Sequence, residues 1–305
     1  MIRYVRHADI DKAEWDRKLL ACPNKLWYAL SHVLDVASPG WEALVDDAKG
    51  AMMPLTWRRK FGFRYLFQPF GLQQLGVFSM QPITTGISSS FLSAVPKHFR
   101  LAEISVNQGM PATQVSGWTS TEHPDSILDL SGGIKNVRAN YSKGHERNVL
   151  KAREHLTSRT HSMDPRSFSD LFMHTTAERF KGIDAHGLRT MASLLQTAND
   201  HGEVDIIGIR DEQGEWRAGA AFVHWQGRTV LLKSASDDQG RSMNAMFHLV
   251  DVGLEHACSV SALMDFAGSE HQGTARFYEG FGAKPTVYLR LSKNDLPFWL
   301  KPFKR

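Results

Sequence analysis

The chain has 305 residues, 42% of them hydrophobic, and this length favours two domains with sizeable cores. Its formal charge of +4 is mildly basic. That balance argues against a dedicated DNA-binding protein and is compatible with an anionic substrate or with tRNA. The only two cysteines, Cys22 and Cys258, have no metal-ligand spacing, so we expect a reducing compartment.

Signals for targeting and for common cofactors are absent from the sequence. The N-terminus lacks the apolar stretch of a signal peptide, and no segment approaches the roughly 20 apolar residues of a membrane span. The fourteen histidines show no H-x-x-x-H spacing, and neither a Walker A motif nor a dinucleotide-binding glycine motif occurs. We therefore expect a cytoplasmic protein without a transmembrane segment or a bound metal.

The first half alternates helical and extended patterns. Asp11 and Glu14 have capping-box spacing and predict a helix that Pro23 ends. A second short helix is predicted over residues 26–34, and a third over residues 86–95, before Pro96. Apolar runs of strand length occur at 41–45, 51–56, 65–67, 99–106, 113–118 and 127–130. This order predicts an α/β layer with a mixed sheet.

A Ser-Gly-Gly sequence at 131–133 precedes a basic helix predicted over 135–156. We divide the chain here, into domains 1–140 and 141–305. The second half predicts helix, helix, three strands, helix, strand and helix, at 164–180, 188–198, 204–209, 219–225, 229–235, 245–257, 261–266 and 273–281. Each half therefore predicts a mixed sheet flanked by helices.

A strand, a polar loop containing a glycine and a long helix follow one another over 229–257. Such a unit directs backbone N–H groups from the loop and the helix N-terminus at one point, which favours an anion such as a phosphate. The next strand ends in D-F-A-G-S (265–269), beside the same crevice if the sheet is open. The sequence thus predicts a ligand site at these strand ends.

The segment R-F-Y-E-G-F-G-A (276–283) resembles a motif near the end of GNAT-fold N-acyltransferases. With D-F-A-G-S (265–269), N-Y-S-K-G-H-E-R-N-V-L-K-A (140–152) and F-G-L-Q-Q-L-G-V-F-S (70–79), most of the chain resembles the bacterial Fem-like branch. Fem proteins attach amino acids to peptidoglycan precursors. The resemblance implies an α/β fold of two tandem GNAT-like domains, each a mixed central sheet flanked by helices.

In GNAT enzymes the loop after the central strand binds the pyrophosphate of coenzyme A through backbone amides. The resemblance implies this role for Ser234, Ala235, Gln239, Gly240, Arg241, Ser242 and Met243. The loop departs from the family pattern, because Asp237 stands where glutamine or arginine is usual and Ser242 where a small residue is usual. The alternative is a polar turn with Gly240 for backbone geometry and Ser242 as the helix N-cap.

The resemblance implies that Tyr278 is the general acid that protonates a departing thiolate, a role that suits a phenol with a pKa near ~10. The alternative is packing among its aromatic neighbours. Asp265, late in an apolar strand, and Glu270 are candidates for deprotonating a substrate amine, although an acid at a strand end is often a capping or salt-bridge residue. Two histidines are alternative bases: His224 and His271.

Three residues are candidates for substrate binding. Arg147 can hold a phosphate or carboxylate bidentately, or lie on a solvated helix face. Gln74 is a polar side chain within an apolar first-half segment and lines a cleft or faces water. Ser269 follows the strand that ends at Asp265.

From these observations we expect an N-acyltransferase that moves an acyl group from acyl-CoA, as co-substrate, to a small or peptide-like amine. A Fem-like aminoacyltransferase using aminoacyl-tRNA and a cell-wall precursor is the second hypothesis, which the altered donor loop and the basic charge favour. The third is a GNAT-fold binding or scaffold protein that has lost its donor site.

Overall fold

The structure, a computed structural model, describes residues 1–60, 62–176, 184–268 and 271–296. Contacts divide the chain into two compact units. The first contains Met1–His123 together with residues from 287 onward, and the second is Pro124–Thr286. Both units combine a β-sheet with helices, which confirms the predicted α/β class.

The helices and strands that begin in the first unit are β1 (Arg3–Val5), α1 (Lys12–Ala21), α2 (Ser31–Ala37), β2 (Glu42–Asp46), β3 (Ala51–Leu55), β4 (Trp57–Lys60), β5 (Phe63–Phe67), β6 (Phe78–Ser79), α3 (Thr85–Ala94), β7 (Phe99–Val106) and β8 (Trp118–Asp129). The first turn of α1 is capped as predicted, because the Asp11 side chain accepts a hydrogen bond of 3.0 Å from the Glu14 amide.

Those that begin in the second unit are α4 (Gly133–Ala139), α5 (Lys143–Leu156), β9 (Thr160–Ser162), α6 (Pro165–Thr175), α7 (Ala185–Asp200), β10 (Val204–Arg210), β11 (Trp216–Trp225), β12 (Arg228–Ser236), α8 (Asp238–Ser242), α9 (Ala245–Val260), β13 (Leu263–Asp265), α10 (Gln272–Glu279) and β14 (Lys284–Asn294). Asp164 caps α6 by accepting from the Ser167 amide at 2.9 Å, as the Asp-Pro pair predicts.

Two sets of strands form the first unit. Strands β1, β2, β3 and β6 make an antiparallel sheet in that order, and β4, β5 and β7 are joined by the C-terminal strand β14. The pair between Leu289 and Val106 begins the β14–β7 register. A core that includes Leu44, Phe91, Phe99 and Leu291 fills the unit.

The sheet of the second unit has the order β8-β13-β12-β11-β10-β9. Strands β12 and β13 are parallel and the other neighbours are antiparallel. Helix α9 covers one face of this sheet. Gly253 of α9 packs closely on Phe222, since a Cβ added to this glycine would lie 2.2 Å from the Phe222 ring. Helix α6 covers the opposite face. Its Phe168 packs on Gly219, and a Cβ added to this glycine would lie 3.0 Å from the Phe168 ring.

The structure differs from the sequence prediction in several elements, among them the polar loop after β12, which contains the short helix α8. The basic segment predicted as one helix over 135–156 is two helices, α4 and α5, and residues 113–118 form no strand before β8 begins at Trp118. The domains 1–140 and 141–305 stay a prediction. Strand β14 lies with the first unit from residue 287 because its register partner is β7.

In the described part of the chain, the helices are all too short or too polar to cross a lipid bilayer.

Candidate active site

An open strand edge marks the middle of the second unit. Strand β12 pairs with β13 from Arg228 to Val230, and the last partner is Asp265. Beyond this point β12 continues to Ser236, and no further β12–β13 pair occurs among the described residues. Backbone N–H and C=O groups along this edge are therefore available to an extended or acyl-bearing ligand.

Lys233 is directed to one face of β12 by a β-bulge. Leu231 pairs with Phe222, whereas Lys233 pairs with the preceding residue, Ala221, so one extra residue is inserted in β12. Because Leu231 and Phe222 belong to the core beneath α9, Lys233 points to the opposite face. Burial lowers the pKa of Lys233 to about 8. No sequence motif indicates a role for this side chain.

Asp265 points to the same face as Lys233, because its neighbours Met264 and Phe266 both belong to the core beneath α9. It is fully buried. Its Oδ2 accepts from Arg228 Nη2 at 2.8 Å and from Nε at 3.2 Å, and its Oδ1 accepts from the Ala267 amide at 2.8 Å. Both oxygens are thus engaged, an arrangement that suits a structural anchor better than a base.

The Asp265 carboxylate fixes a strained turn. Ala267 has a φ of +54° and Gly268 a φ of +57°. A positive φ is uncommon for alanine, and such residues persist where the surrounding structure holds them. The turn leads from β13 towards α10 and so towards Tyr278.

Tyr278 lies on α10 with its ring stacked on Phe266, the ring centroids 4.6 Å apart. The side chain is 8% exposed. Burial, with the nearby charges of Asp125 and Asp265, raises the pKa of Tyr278 well above its ordinary value. The phenol therefore stays protonated at neutral pH, so it holds a proton that it can give, although it is a weaker acid than an ordinary tyrosine. The sequence analysis also missed Asp125, a buried acid on β8.

The two main segments that carry the family resemblance pack against each other. The amide of Ser142 donates to the Gly280 carbonyl at 2.9 Å, and His145 Nε2 lies 2.9 Å from the Phe277 carbonyl oxygen. Burial lowers the pKa of His145, so its ring is neutral and Nε2–H donates. A Cβ at Gly280 would lie 1.9 Å from this ring, so the glycine is required by packing.

Known structures were compared with this fold. The structure titled FemX matches with a TM-score of 0.69 at 12% sequence identity, covering 95% of this chain and 98% of that one. A tandem GNAT protein from the clavulanic acid biosynthesis pathway matches with a TM-score of 0.58 at 12% identity, covering 97% and 99%. L-PGS from Bacillus licheniformis matches with a TM-score of 0.53 at 13% identity, covering 94% and 93%.

The chain has the tandem GNAT fold, which it shares with these structures. This confirms the fold class and the resemblance predicted from the sequence. A comparison with protein-family models found no match, and neither did a comparison with curated proteins.

Within the GNAT fold, the loop after β12 is the segment predicted to bind a donor pyrophosphate. Here the Gly240 amide donates to Asp237 Oδ1 at 2.7 Å. A Cβ on Gly240 would lie 2.3 Å from the Arg217 carbonyl oxygen, and Arg217 also pairs with Asp237 at 3.2 Å. A pyrophosphate would have to replace the Asp237 carboxylate at this amide, so the donor role stays a prediction.

The other residues of the loop after β12 form hydrogen bonds and an ion pair with one another. Arg241 donates to the Ser236 carbonyl at 2.6 Å and also pairs with Asp238. Ser242 donates to the Gln239 carbonyl at 2.7 Å. It is the last residue of α8 and not the predicted N-cap of the long helix, because the N-cap of α9 is Asn244. Three other predicted donor residues lie nearby in sequence: Ser234 and Ala235 within β12 and Met243 directly after α8.

The predicted substrate residues are not brought together. Arg147 is exposed on α5 in the second unit. Gln74 is buried in the first unit, where its Oε1 accepts from the Gln108 amide at 3.1 Å. Ser269 and the predicted base Glu270 lie outside the described residues.

A basic cavity of about 470 Å³ lies in the first unit. Its lining residues are Tyr4, Arg6, Glu42, Trp57, Arg59, Arg64 and His98. Arg64 donates to Glu42 at 2.6 Å and lies over the Trp57 ring at 3.7 Å. The lining contains three arginines and one glutamate, so the cavity is suited to an anionic group.

Proposed function

We propose that the protein is an acyltransferase that moves an acyl group from an activated ester to an amine, and that its donor is aminoacyl-tRNA. The observation that carries the choice of donor is the Asp237 carboxylate at the Gly240 amide. A coenzyme A pyrophosphate would meet this acid and the exposed Asp238 beside it, and like charges at short range repel. The ester of an aminoacyl-tRNA carries no pyrophosphate beside its acyl group.

In the proposed reaction, a neutral amine attacks the carbonyl carbon of the donor at the open edge of β12. The carbon–oxygen bond to the ribose then breaks, and Tyr278 gives its phenolic proton to the departing oxygen. The proton lost by the amine returns to the phenolate through water, so the site is restored. Lys233, mainly an ammonium below pH 8, stabilises the oxyanion that forms on the carbonyl.

A basic stripe on α5 supports tRNA as a partner. Lys143, Arg147 and Lys151 are all exposed and follow one another at four-residue spacing, which places them on one side of the helix. Such side chains release counterions when they meet phosphates, and this makes the binding sensitive to salt.

The basic cavity of the first unit supports an acceptor with an anionic group. Arg6, Arg59 and Arg64 supply planar donors that match a phosphate or carboxylate. An amine-bearing acceptor with a phosphate or carboxylate is therefore the substrate class that we propose.

Calorimetric titration tests the donor assignment. Charged bulk tRNA is expected to bind at low salt, more weakly as salt is raised, whereas coenzyme A and acetyl-CoA give no binding heat at millimolar concentration. An Arg147→Gln, Lys151→Gln variant is expected to reduce the slope of log affinity against log salt by roughly 1 to 2. Micromolar binding of coenzyme A would instead favour an acyl-CoA donor, and binding of none of these ligands would favour the scaffold hypothesis.

A further inference from the structure

Three metal-ligating side chains meet in the second unit, away from the residues assigned to acyl transfer. Asp205 comes from β10, His224 from β11 and His256 from α9. Their ligand atoms all lie within 4.8 Å of one another. Asp205 Oδ2 is 3.2 Å from His224 Nε2 and 2.7 Å from His256 Nδ1.

The hydrogen bonds of His224 prepare its Nε2 for a cation. Thr229 Oγ1 donates to Ser261 Oγ at 2.8 Å, so at its 2.8 Å contact with His224 Nδ1 it must accept. The proton of the neutral ring is therefore on Nδ1, and Nε2 presents a lone pair towards Asp205. Metal-bound histidines are typically oriented in this way, with the second ring nitrogen donating to a fixed acceptor.

His224 Nε2 is an unsatisfied buried atom. It is shielded from solvent and makes no hydrogen bond to any residue in the part of the chain that the structure describes. A salt bridge between Asp205 and a protonated His256 accounts for those two side chains, whereas the 3.2 Å approach of His224 Nε2 to the same Asp205 oxygen is not a hydrogen bond. A buried polar group without a partner costs free energy, and a cation shared with Asp205 and His256 would remove this cost.

We propose that Asp205, His224 and His256 bind one divalent transition-metal ion of the zinc class. Two imidazoles and one carboxylate form a ligand set of zinc, and three protein ligands leave a fourth position for water. Ligand atoms of a tetrahedral zinc site are separated by roughly 3.3 Å, as follows from metal–ligand distances near 2.0–2.1 Å. The contacts of 2.7 and 3.2 Å lie close to this spacing.

The location suggests what the ion does. Asp205 is 46% and His256 50% exposed at the side chain, so an ion can enter from solvent. The ligands join the C-terminal half of α9 to β10 and β11. A bound ion therefore clamps this helix to the sheet and raises the stability of the second unit by mass action.

Cobalt titration tests the proposal. Full-length protein without a histidine tag is stripped with chelator, desalted and titrated with CoCl2, and the visible absorption of tetrahedral cobalt is followed. We expect one equivalent to bind, to be displaced by Zn²⁺ and to raise Tm. His256→Ala and Asp205→Asn remove exposed ligands and are expected to weaken binding at least tenfold. His186→Ala, an exposed histidine on α7, is the matched control and leaves binding unchanged.

Thr229→Val tests whether Thr229 orients the His224 ring for metal binding or serves only the stability of the fold. The change keeps the shape of a fully buried side chain and removes the acceptor of His224 Nδ1. Loss of such a partner typically weakens metal binding by roughly 10–100-fold, and we expect an altered cobalt spectrum. The proposal is overturned if the wild-type protein binds less than one equivalent, or if His256→Ala and Asp205→Asn bind cobalt as tightly as the wild type.

Discussion

Asp237 Oδ1 accepts a 2.7 Å hydrogen bond from the amide of Gly240. The donor is a backbone N–H of the kind that can bind a ligand anion near a helix N-terminus. The acceptor is instead a carboxylate of the same chain, which caps α8. The Gly240 amide therefore already has a hydrogen-bond acceptor within the chain, and a ligand pyrophosphate could bind it only by displacing Asp237.

Gly240→Ala tests whether this glycine serves the fold. Its Cβ would lie 2.3 Å from the Arg217 carbonyl oxygen, so we expect the unfolding free energy to fall by roughly 1–3 kcal/mol. Gly144→Ala on α5 is the matched control, because nothing lies within 4 Å of its added Cβ. Urea denaturation measures both. Equal stability of the two variants would contradict the packing assignment.

Tyr278→Phe tests the proton donor. The ring that stacks on Phe266 is retained, and the structure gives the phenol no hydrogen bond to a described residue that the change would break. We therefore expect a change in unfolding free energy below about 1 kcal/mol and a loss of transfer rate of roughly 10²–10⁴-fold. Turnover equal to the wild type would remove Tyr278 from the mechanism.

Lys233→Met tests a side chain whose charge is costly to the fold. The folded pKa of about 8 lies below the ordinary value, so between about pH 8 and 10.4 the unfolded chain binds more protons. Stability of the wild type should therefore rise with pH over this window, and the cost of the buried charge is fully present below it. The variant should be more stable at pH 7, by on the order of 1 kcal/mol, and should lose this pH dependence.

The same substitution should abolish transfer if Lys233 stabilises the oxyanion, and wild-type activity should decline as pH rises through about 8. Chemical denaturation at several pH values and a pH–rate profile measure the two effects. A less stable variant with normal activity would identify Lys233 as a structural ion-pair partner instead.

Asp251→Asn tests the ion cluster that joins α4, α5 and α9. Fully buried Asp251 accepts from Arg138 at 2.8 and 3.0 Å, from Arg153 at 2.5 Å and from the Tyr141 hydroxyl at 3.0 Å. Removing its charge leaves Arg153 without a carboxylate partner and Arg138 with Glu255 alone, so we expect a loss of roughly 3 kcal/mol. Glu255→Gln, at the exposed partner of Arg138, should cost less than about 1 kcal/mol. Thermal denaturation of the two variants decides between a structural cluster and a dispensable one.

Acid sensitivity follows from the same carboxylate. Burial opposes the ionised form of Asp251, but the hydrogen bonds from Arg138 and Arg153 outweigh it and lower the pKa. A lowered carboxyl pKa contributes stability above the unfolded value of about 3.9 that is lost as pH falls below it. This loss should be smaller in Asp251→Asn than in the wild type.

The features that could be predicted from the sequence are those determined by residues close together in the chain. The caps at Asp11 and Asp164, and the strand and the long helix on either side of Gly240, are set by neighbouring residues and are confirmed. The motif around Gly280 was recognisable too, because its glycine is imposed by the His145 ring. A residue that packing requires in this way belongs to a motif that can be recognised in other sequences.

The features that the sequence did not reveal depend on how strands and helices that are far apart in the sequence pair and pack. Lys233 faces away from α9 only because a bulge shifts its pairing with Ala221. Asp125 reaches the second unit because β8 begins in the first unit and ends beside β13. His224 and His256 meet through the packing of α9 on the sheet, which no short spacing encodes.

Single-turnover aminoacyl transfer to hydroxylamine tests the central claim most directly, because this small amine replaces the unknown acceptor. Charged bulk tRNA is mixed with excess enzyme, and hydroxamate formation is compared with the uncatalysed rate. We predict acceleration by the wild type, its loss in Tyr278→Phe and Lys233→Met, and none when acetyl-CoA is the donor. No acceleration with charged tRNA, or equal acceleration with acetyl-CoA, would contradict the account.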